Sequence, residues 1–167
     1  MVKRIIDFKK IDKSDLPLLN SVRNSYANKY LHDSRIFTLE ETMEWFKKTN
    51  PHYYIILKDN IRVGYFRLSN YSKENMNIYV GCDVSPEFVG MGLGYLSYKK
   101  FLPFLFSEYN LNKVSLEVLS TNTKAIGLYK KLGFSVEGVK REEIKKGDVF
   151  VDSIIMSLLK KELNNEF

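Results

Sequence analysis

The stretch VGMGLGYLSYKK, residues 89–100, places three glycines at alternate positions immediately before a segment with the pattern of a helix. Because Gly90, Gly92 and Gly94 have no side chains, they allow a positive φ and a close approach of the backbone to a ligand. The first turn of a helix also carries unpaired N–H groups and a partial positive charge. A strand, a glycine-rich turn and a helix in this order predict a phosphate site, although a tight turn alone would explain the same glycines.

The glycine stretch matches neither of two familiar phosphate-binding motifs. It lacks the G-x-x-x-x-G-K-[ST] pattern of a Walker A loop, and GMGLGY lacks the G-x-G-x-x-G spacing of a dinucleotide-binding fold. The spacing by itself therefore leaves the phosphate ligand open.

The excess of lysine and arginine gives the chain a formal net charge of +6. This charge favours an anionic partner, or it is simply a basic surface with no partner behind it. Because the basic residues are scattered and show no zinc-finger spacing, we expect no nucleic-acid partner. The single cysteine, Cys82, excludes an internal disulfide and a cysteine-based zinc site, and we expect no metal cofactor.

The length of 167 residues predicts one domain, which we place at residues 1–160, followed by a polar tail at residues 161–167. The first residues are basic without the apolar segment of a secretory signal, and the longest apolar runs are too short to span a membrane. We therefore expect no membrane partner and a cytoplasmic location.

The predicted elements are a strand, two helices, a run of antiparallel strands, and then strand–helix–strand–helix–strand. Ser14 or Asp15 is predicted to cap the first helix, and Thr38 with Glu41 forms a capping box for the second. Pro103 is predicted to kink or end the helix that follows the glycines. This order predicts an α+β fold with a mixed, mostly antiparallel sheet that has helices on both faces.

A second segment, NTKAIGLYKKLGF at residues 122–134, indicates which phosphate ligand binds the glycine stretch. It resembles the N-x-x-A-x-x-x-Y-x-x-x-G-F segment of the GCN5-related N-acetyltransferase superfamily. Residues 89–94 resemble the acetyl-CoA motif of that family, [Q/R]-x-x-G-x-[G/A], except at Val89. The resemblance implies the acyl-CoA N-acyltransferase fold and acetyl-CoA as cosubstrate. It favours the branch that contains ribosomal-protein N-terminal acetyltransferases and amino-sugar-nucleotide N-acetyltransferases.

The resemblance also implies which residues contact acetyl-CoA. Backbone groups of the strand IYVGCDV would pair with the pantetheine arm, and Asn122 would hydrogen-bond its amide or serve only as a helix N-cap. Val89 loses the side-chain contact of Gln or Arg, but its N–H could still reach the diphosphate. The implied cofactor-binding residues are Cys82, Asp83, Val84, Val89, Gly90, Met91, Gly92, Leu93, Gly94, Tyr95, Asn122 and Tyr129.

Three residues are candidates for the chemistry of acetyl transfer. By resemblance, Tyr129 is the general acid that protonates the leaving thiolate, although it also fits a core tyrosine. A carboxylate that acts through water could accept the proton of the amine, and Asp83 and Glu117 are the candidates. His32 and His52 are interpreted as surface or loop residues, with a role near the substrate left open for His32.

The acceptor is expected to be a primary amine of a small metabolite, possibly an amino-sugar nucleotide, that lies near Arg23 and Asn24. Arg23 could bind a phosphate or carboxylate, or form a structural ion pair. A protein α-amine is the second candidate, and a polyamine is disfavoured because the chain itself is cationic. A non-catalytic CoA-binding module and a homodimer also remain open.

Overall fold

Seven strands form a single sheet in the computed structural model, which describes residues 6–163. The described residues form four α-helices and seven strands. In chain order these are β1 (Ile6–Lys10), α1 (Leu16–Tyr26), α2 (Leu39–Thr49), β2 (Tyr53–Lys58), β3 (Ile61–Ser72), β4 (Asn77–Val84), α3 (Leu93–Glu108), β5 (Lys113–Leu119), α4 (Thr123–Lys131), β6 (Ser135–Lys146) and β7 (Val149–Leu159).

The strands lie side by side in the order β1-β2-β3-β4-β5-β7-β6. Every neighbouring pair is antiparallel except β4 and β5, which are parallel. The sheet is therefore mixed and mostly antiparallel, as the order of elements predicted.

The parallel pair separates soon after it begins. Its ladder joins Asn77–Tyr79 to Lys113–Ser115, and no pairing continues between the following residues of the two strands. The carboxyl ends of β4 and β5 are thus splayed apart and leave a gap in the middle of the sheet. The helices α3 and α4 each begin shortly after one of these two strand ends, so their N-termini lie at the gap.

Alternation along β3 builds a core on each face of the sheet. Phe66 packs against Tyr98 and Phe101 of α3 on one face. Its neighbour Tyr65 points to the other face, where it packs with Val22 of α1. The prediction of helices on both faces is confirmed.

Local signals set most element ends. Thr38 and Glu41 do form the capping box of α2. Asp15 is the N-cap of α1, as one of the two predicted alternatives, but its buried side chain bonds the Asp12 N–H and forms ion pairs with Lys9 and Arg62 and does not cap the helix. The helix α3 also continues through Pro103 to Glu108, so the proline does not end it.

No helix within residues 6–163 is long and apolar enough to cross a membrane. Residues 160–162 of the chain form a 3-10 turn, and residues 164–167 of the predicted polar tail lie outside the described residues.

Candidate active site

The glycine loop leaves the first turn of α3 open. Gly90 and Gly92 have φ of +86° and +75°, and a Cβ atom at either position would meet no other residue within 4 Å. Gly92 is the N-cap of α3 and makes no side-chain cap hydrogen bond. The carbonyl of Gly92 accepts a hydrogen bond from the N–H of Leu96. The preceding N–H groups therefore lack helical partners and can bind an anion.

Two further predicted members of this loop, Gly94 and Val89, have different roles. Gly94 brings the first turn of α3 against α4, since a Cβ there would lie 3.3 Å from Leu128 Cδ2. The N–H of Val89 is already used, because it donates to the Pro86 carbonyl at 3.2 Å. A contact between the Val89 amide and a diphosphate stays a prediction, and the side chain of Val89 is exposed.

Asn122 and Tyr129 lie on α4 beside this loop. Asn122 is the N-cap of α4, and its side-chain oxygen accepts a hydrogen bond from Ala125 N at 3.3 Å. Tyr129 is 7% exposed and packs edge to face on Tyr98, with ring centroids 5.8 Å apart. Burial raises the pKa of the Tyr129 phenol, which keeps it protonated at neutral pH. A protonated phenol is what a general acid requires.

The free edge of β4 faces the gap. Cys82 packs against the core that contains Tyr129, and burial raises the pKa of its thiol, so it is a poor nucleophile. Its neighbour Asp83 points to the opposite face. The Tyr26 hydroxyl donates to the Val84 carbonyl at 2.5 Å, so this carbonyl already has a partner.

Asp83 is held by Arg67 of the neighbouring strand. Arg67 Nε lies 3.0 Å from Asp83 Oδ2, and both atoms are buried. Gly81 faces Arg67 across the strands, and a Cβ there would lie 2.7 Å from a guanidinium nitrogen. The glycine thus serves close packing, and no register shift occurs at Gly81.

A cavity of about 900 Å³ opens on the face of the sheet that carries Arg67. Its aromatic walls include Tyr30, Phe37, Trp45, Tyr53, Tyr65 and Tyr79. Its charged lining contains both signs, namely Arg23, Asp33, Arg35, Glu41, Glu44, Lys48, Arg67 and Glu117. The cavity has room for a small organic molecule.

The predicted acceptor residues Arg23 and Asn24 hold the segment between α1 and α2. Arg23 lines the cavity, but its guanidinium donates to the Arg35 carbonyl at 2.5 Å and packs over the Phe37 ring. Asn24 lies outside the cavity lining and clamps the Phe37 backbone, with its amide nitrogen 2.7 Å from the carbonyl oxygen. Their role in binding an acceptor stays a prediction.

Glu117 is the centre of a polar cluster at the cavity wall. Lys140 Nζ donates to Glu117 Oε1 at 2.8 Å, and Ser153 Oγ donates to Oε2 at 3.1 Å. His32 Nε2 lies 2.7 Å from the same Ser153 oxygen, and His32 also lines the cavity. No local pattern predicts this cluster, because His32 and Ser153 are 121 positions apart.

Two titratable groups of the cluster, Glu117 and His32, both have a lowered pKa. Burial alone would raise the pKa of Glu117, but hydrogen bonds from Lys140 and Ser153 outweigh it, so the pKa is lowered. Burial lowers the pKa of His32, and the neighbouring Glu117 carboxylate opposes this only in part. At neutral pH the cluster therefore holds an ionised carboxylate and a neutral imidazole.

Comparison with known proteins decides the family. The sequence model of the acetyltransferase (GNAT) family matches residues 19–134, which include the glycine loop and α4. The chain belongs to the GNAT family. The predictions of the superfamily and of its fold are confirmed.

No group of three or more potential metal-ligating side chains occurs in the part of the chain that the structure describes.

Relatives within the GNAT family include proteins with different named substrates. YdaF of Bacillus subtilis, whose name proposes a ribosomal N-acetyltransferase, is 28% identical over 111 residues, 66% of this chain and 61% of YdaF. The spermidine N(1)-acetyltransferase of Escherichia coli K12 is 47% identical over 55 residues, 33% of this chain and 30% of that protein. The chain thus matches less than two thirds of each of these relatives.

A solved structure supports the fold over the full domain. The spermidine N-acetyltransferase of Vibrio cholerae, crystallised with CoA and spermine, superposes with a TM-score of 0.88 at 21% identity, covering 95% of this chain and 97% of that one. None of these three proteins supports the expectation of an amino-sugar nucleotide.

Proposed function

We propose that this protein is an acetyl-CoA-dependent N-acetyltransferase that acts on a primary amine of a small molecule. One observation carries the proposal: the aromatic cavity is lined by Gly81 of β4 and Glu117 of β5, the two strands that separate, and the open glycine loop begins α3, which packs on the opposite face of the sheet. A transferase must bring two substrates into contact, and a break in the sheet allows this. GNAT membership supports acetyl-CoA as the ligand of the glycine-loop face.

The glycine loop fits the diphosphate of acetyl-CoA. Gly90 and Gly92 leave open space in front of the first turn of α3, and Leu93, Gly94 and Tyr95 supply N–H groups without helical partners. The free edge of β4 offers backbone groups to an extended pantetheine arm, in the manner of an added strand. Bound acetyl-CoA would supply the activated acetyl group.

Tyr129 is the general acid in this proposal. Its phenol stays protonated because burial raises its pKa, so it has a proton to give to the leaving thiolate. Its core contact with Tyr98 fixes the ring, which serves both packing and catalysis.

The two carboxylates predicted as bases differ in position. Asp83 is held in an ion pair with Arg67 and is not among the residues that line the cavity. Glu117 lines the cavity, but the Lys140 ammonium and the Ser153 hydroxyl lower its pKa. Glu117 is better suited to keep the cavity wall negatively charged than to accept a proton itself.

The acceptor that suits the cavity best is an aliphatic amine such as a polyamine. Aromatic faces attract ammonium groups, and Trp45, Tyr53 and Tyr65 provide them. Although the chain has a net positive charge, the cavity does not, because its lining holds acidic and basic groups in equal number. The named substrate of the spermidine acetyltransferases agrees with this choice.

An amino-sugar nucleotide suits the cavity less well. Its diphosphate would need free cations, but Arg67 is paired with Asp83, and Asp33 lies 3.4 Å from Arg23 and 2.7 Å from Arg35. A ribosomal protein N-terminus is the second candidate, supported by the name of YdaF.

A panel of acceptors tests the proposal. The protein is incubated with acetyl-CoA and spermidine, an N-terminal ribosomal-protein peptide, or an amino-sugar nucleotide, and thiol release is followed. We expect the fastest release with spermidine. If acetyl-CoA stabilises the protein in a thermal-shift titration but no amine releases thiol, the chain is a CoA-binding module instead.

A further inference from the structure

His32 occupies a defined position at the acceptor cavity. It lies between α1 and α2 and reaches across to β7, where its Nε2 meets Ser153 Oγ. Lys146 of β6 holds the segment that carries His32, because its ammonium donates to the Ala27 and Leu31 carbonyls and to Ser34 Oγ. The imidazole is therefore anchored from both sides.

The hydrogen bonds of Ser153 fix the tautomer of His32. A serine hydroxyl has one proton, and here it points to the Glu117 carboxylate, which can only accept. Ser153 Oγ must then accept a hydrogen bond from His32, so Nε2 carries the imidazole proton. The lone pair of the neutral ring is on Nδ1, which has no hydrogen-bond partner among residues 6–163.

We infer that His32 Nδ1 is the general base that takes a proton from the acceptor ammonium, with Ser153 and Glu117 as positioning residues. The inference rests on the proposed acetyl transfer and names the group that sequence reasoning left open. The charged groups around the ring are Glu117, which favours its protonation, and Arg67, Lys140 and Lys146, which oppose it.

The proton balance of the step is complete. His32 Nδ1 takes one proton from the ammonium, and the neutral amine nitrogen forms a bond to the acetyl carbonyl carbon. The carbon–sulfur bond breaks, and Tyr129 gives its proton to the thiolate. The second nitrogen proton restores Tyr129, and His32 releases its proton to water, so each turnover yields one amide, one thiol and one proton.

The test is the pH profile of kcat/KM for His32→Gln. Glutamine can still donate to Ser153 but has no titratable lone pair. In the wild type we expect kcat/KM to be constant from an ionisation under 6.5, because burial lowers the pKa of His32, up to the amine pKa, above which the ammonium form is lost. In His32→Gln, reaction should depend on the free amine, so log kcat/KM should rise with a slope of about 1 up to the amine pKa. At pH 7 the loss should be about 100-fold or more, as for removal of a general base.

Matched variants separate catalysis from folding. His52→Gln changes an exposed histidine outside the cavity and should keep the wild-type profile. Ser153→Ala should weaken kcat while Ser157→Ala, whose hydroxyl bonds Glu137 instead, should not. A wild-type profile in a folded His32→Gln variant overturns the inference. An inactive wild type on every amine overturns the proposed function instead.

Discussion

The guanidinium of Arg67 fills the space that a side chain at Gly81 would need. The two residues face each other across β3 and β4, and this contact lets Arg67 reach Asp83. The ion pair lies beside the gap between β4 and β5, and it links β4 to its neighbour β3.

Replacing Gly81 with alanine should displace Arg67 and break this ion pair. We expect a loss of about 1–3 kcal/mol in the free energy of unfolding, since a buried charge pair is disturbed. Urea unfolding measures the loss. Gly138→Ala is the matched control, because its Cβ would meet no other residue within 4 Å, and it should cost less. Equal losses in the two variants would show that the contact between Gly81 and Arg67 does not contribute to the free energy of unfolding.

Gly92→Ala should separate cofactor binding from backbone strain. Gly92 and Gly147 both have positive φ, and a Cβ at either meets no other residue within 4 Å. Each substitution should cost about 1–2 kcal/mol of stability from the left-handed backbone. Only Gly92→Ala should also weaken acetyl-CoA binding, by at least about tenfold, as titration calorimetry would measure. If Gly92→Ala binds acetyl-CoA with wild-type affinity, the glycine loop is not part of the cofactor site.

Tyr129→Phe should lower kcat by about 100-fold or more with little change in the Kd for acetyl-CoA, because only the proton donor is lost. Steady-state kinetics and equilibrium binding measure the two quantities. Tyr109→Phe is the control, since its hydroxyl bonds Tyr54 at the end of α3. Turnover in Tyr129→Phe equal to that of the control would place the acid elsewhere.

Tyr26 should make stability depend on alkaline pH. Burial, followed by the Asp83 carboxylate, raises its pKa to about 12. A raised pKa means that the folded state keeps a proton that the unfolded chain loses near pH 10, so the stabilisation is complete below pH 10 and is lost between about 10 and 12. Wild type should exceed Tyr26→Phe in unfolding free energy at pH 8, and the difference should shrink by pH 11. A constant difference across this range would contradict the role of the hydroxyl that bonds Val84.

The features that could be predicted from the sequence depend on residues that lie close together in the chain. The positive φ of Gly92, the capping box of Thr38 and Glu41, and the N-cap at Asn122 are each readable within a few positions. The order of strands and helices likewise predicted the mixed sheet, because periodicity is a local signal.

The features that sequence reasoning missed depend on distant contacts. His32 gains its position only when β7 and β5 bring Ser153 and Glu117 beside it. Likewise, the Val89 N–H bonds the Pro86 carbonyl because residues Pro86–Phe88 form a 3-10 turn, and no residue pattern predicted this turn.

Direct detection of the product tests the central claim. The protein is incubated with acetyl-CoA and spermidine at pH 7.5, and the amine is analysed by mass spectrometry alongside the Tyr129→Phe variant. We predict N-acetylspermidine in amounts that match the CoA released, and far less of it with the variant. Acetyl-CoA that remains intact with spermidine and with every other amine tested would contradict the assignment of this protein as an N-acetyltransferase.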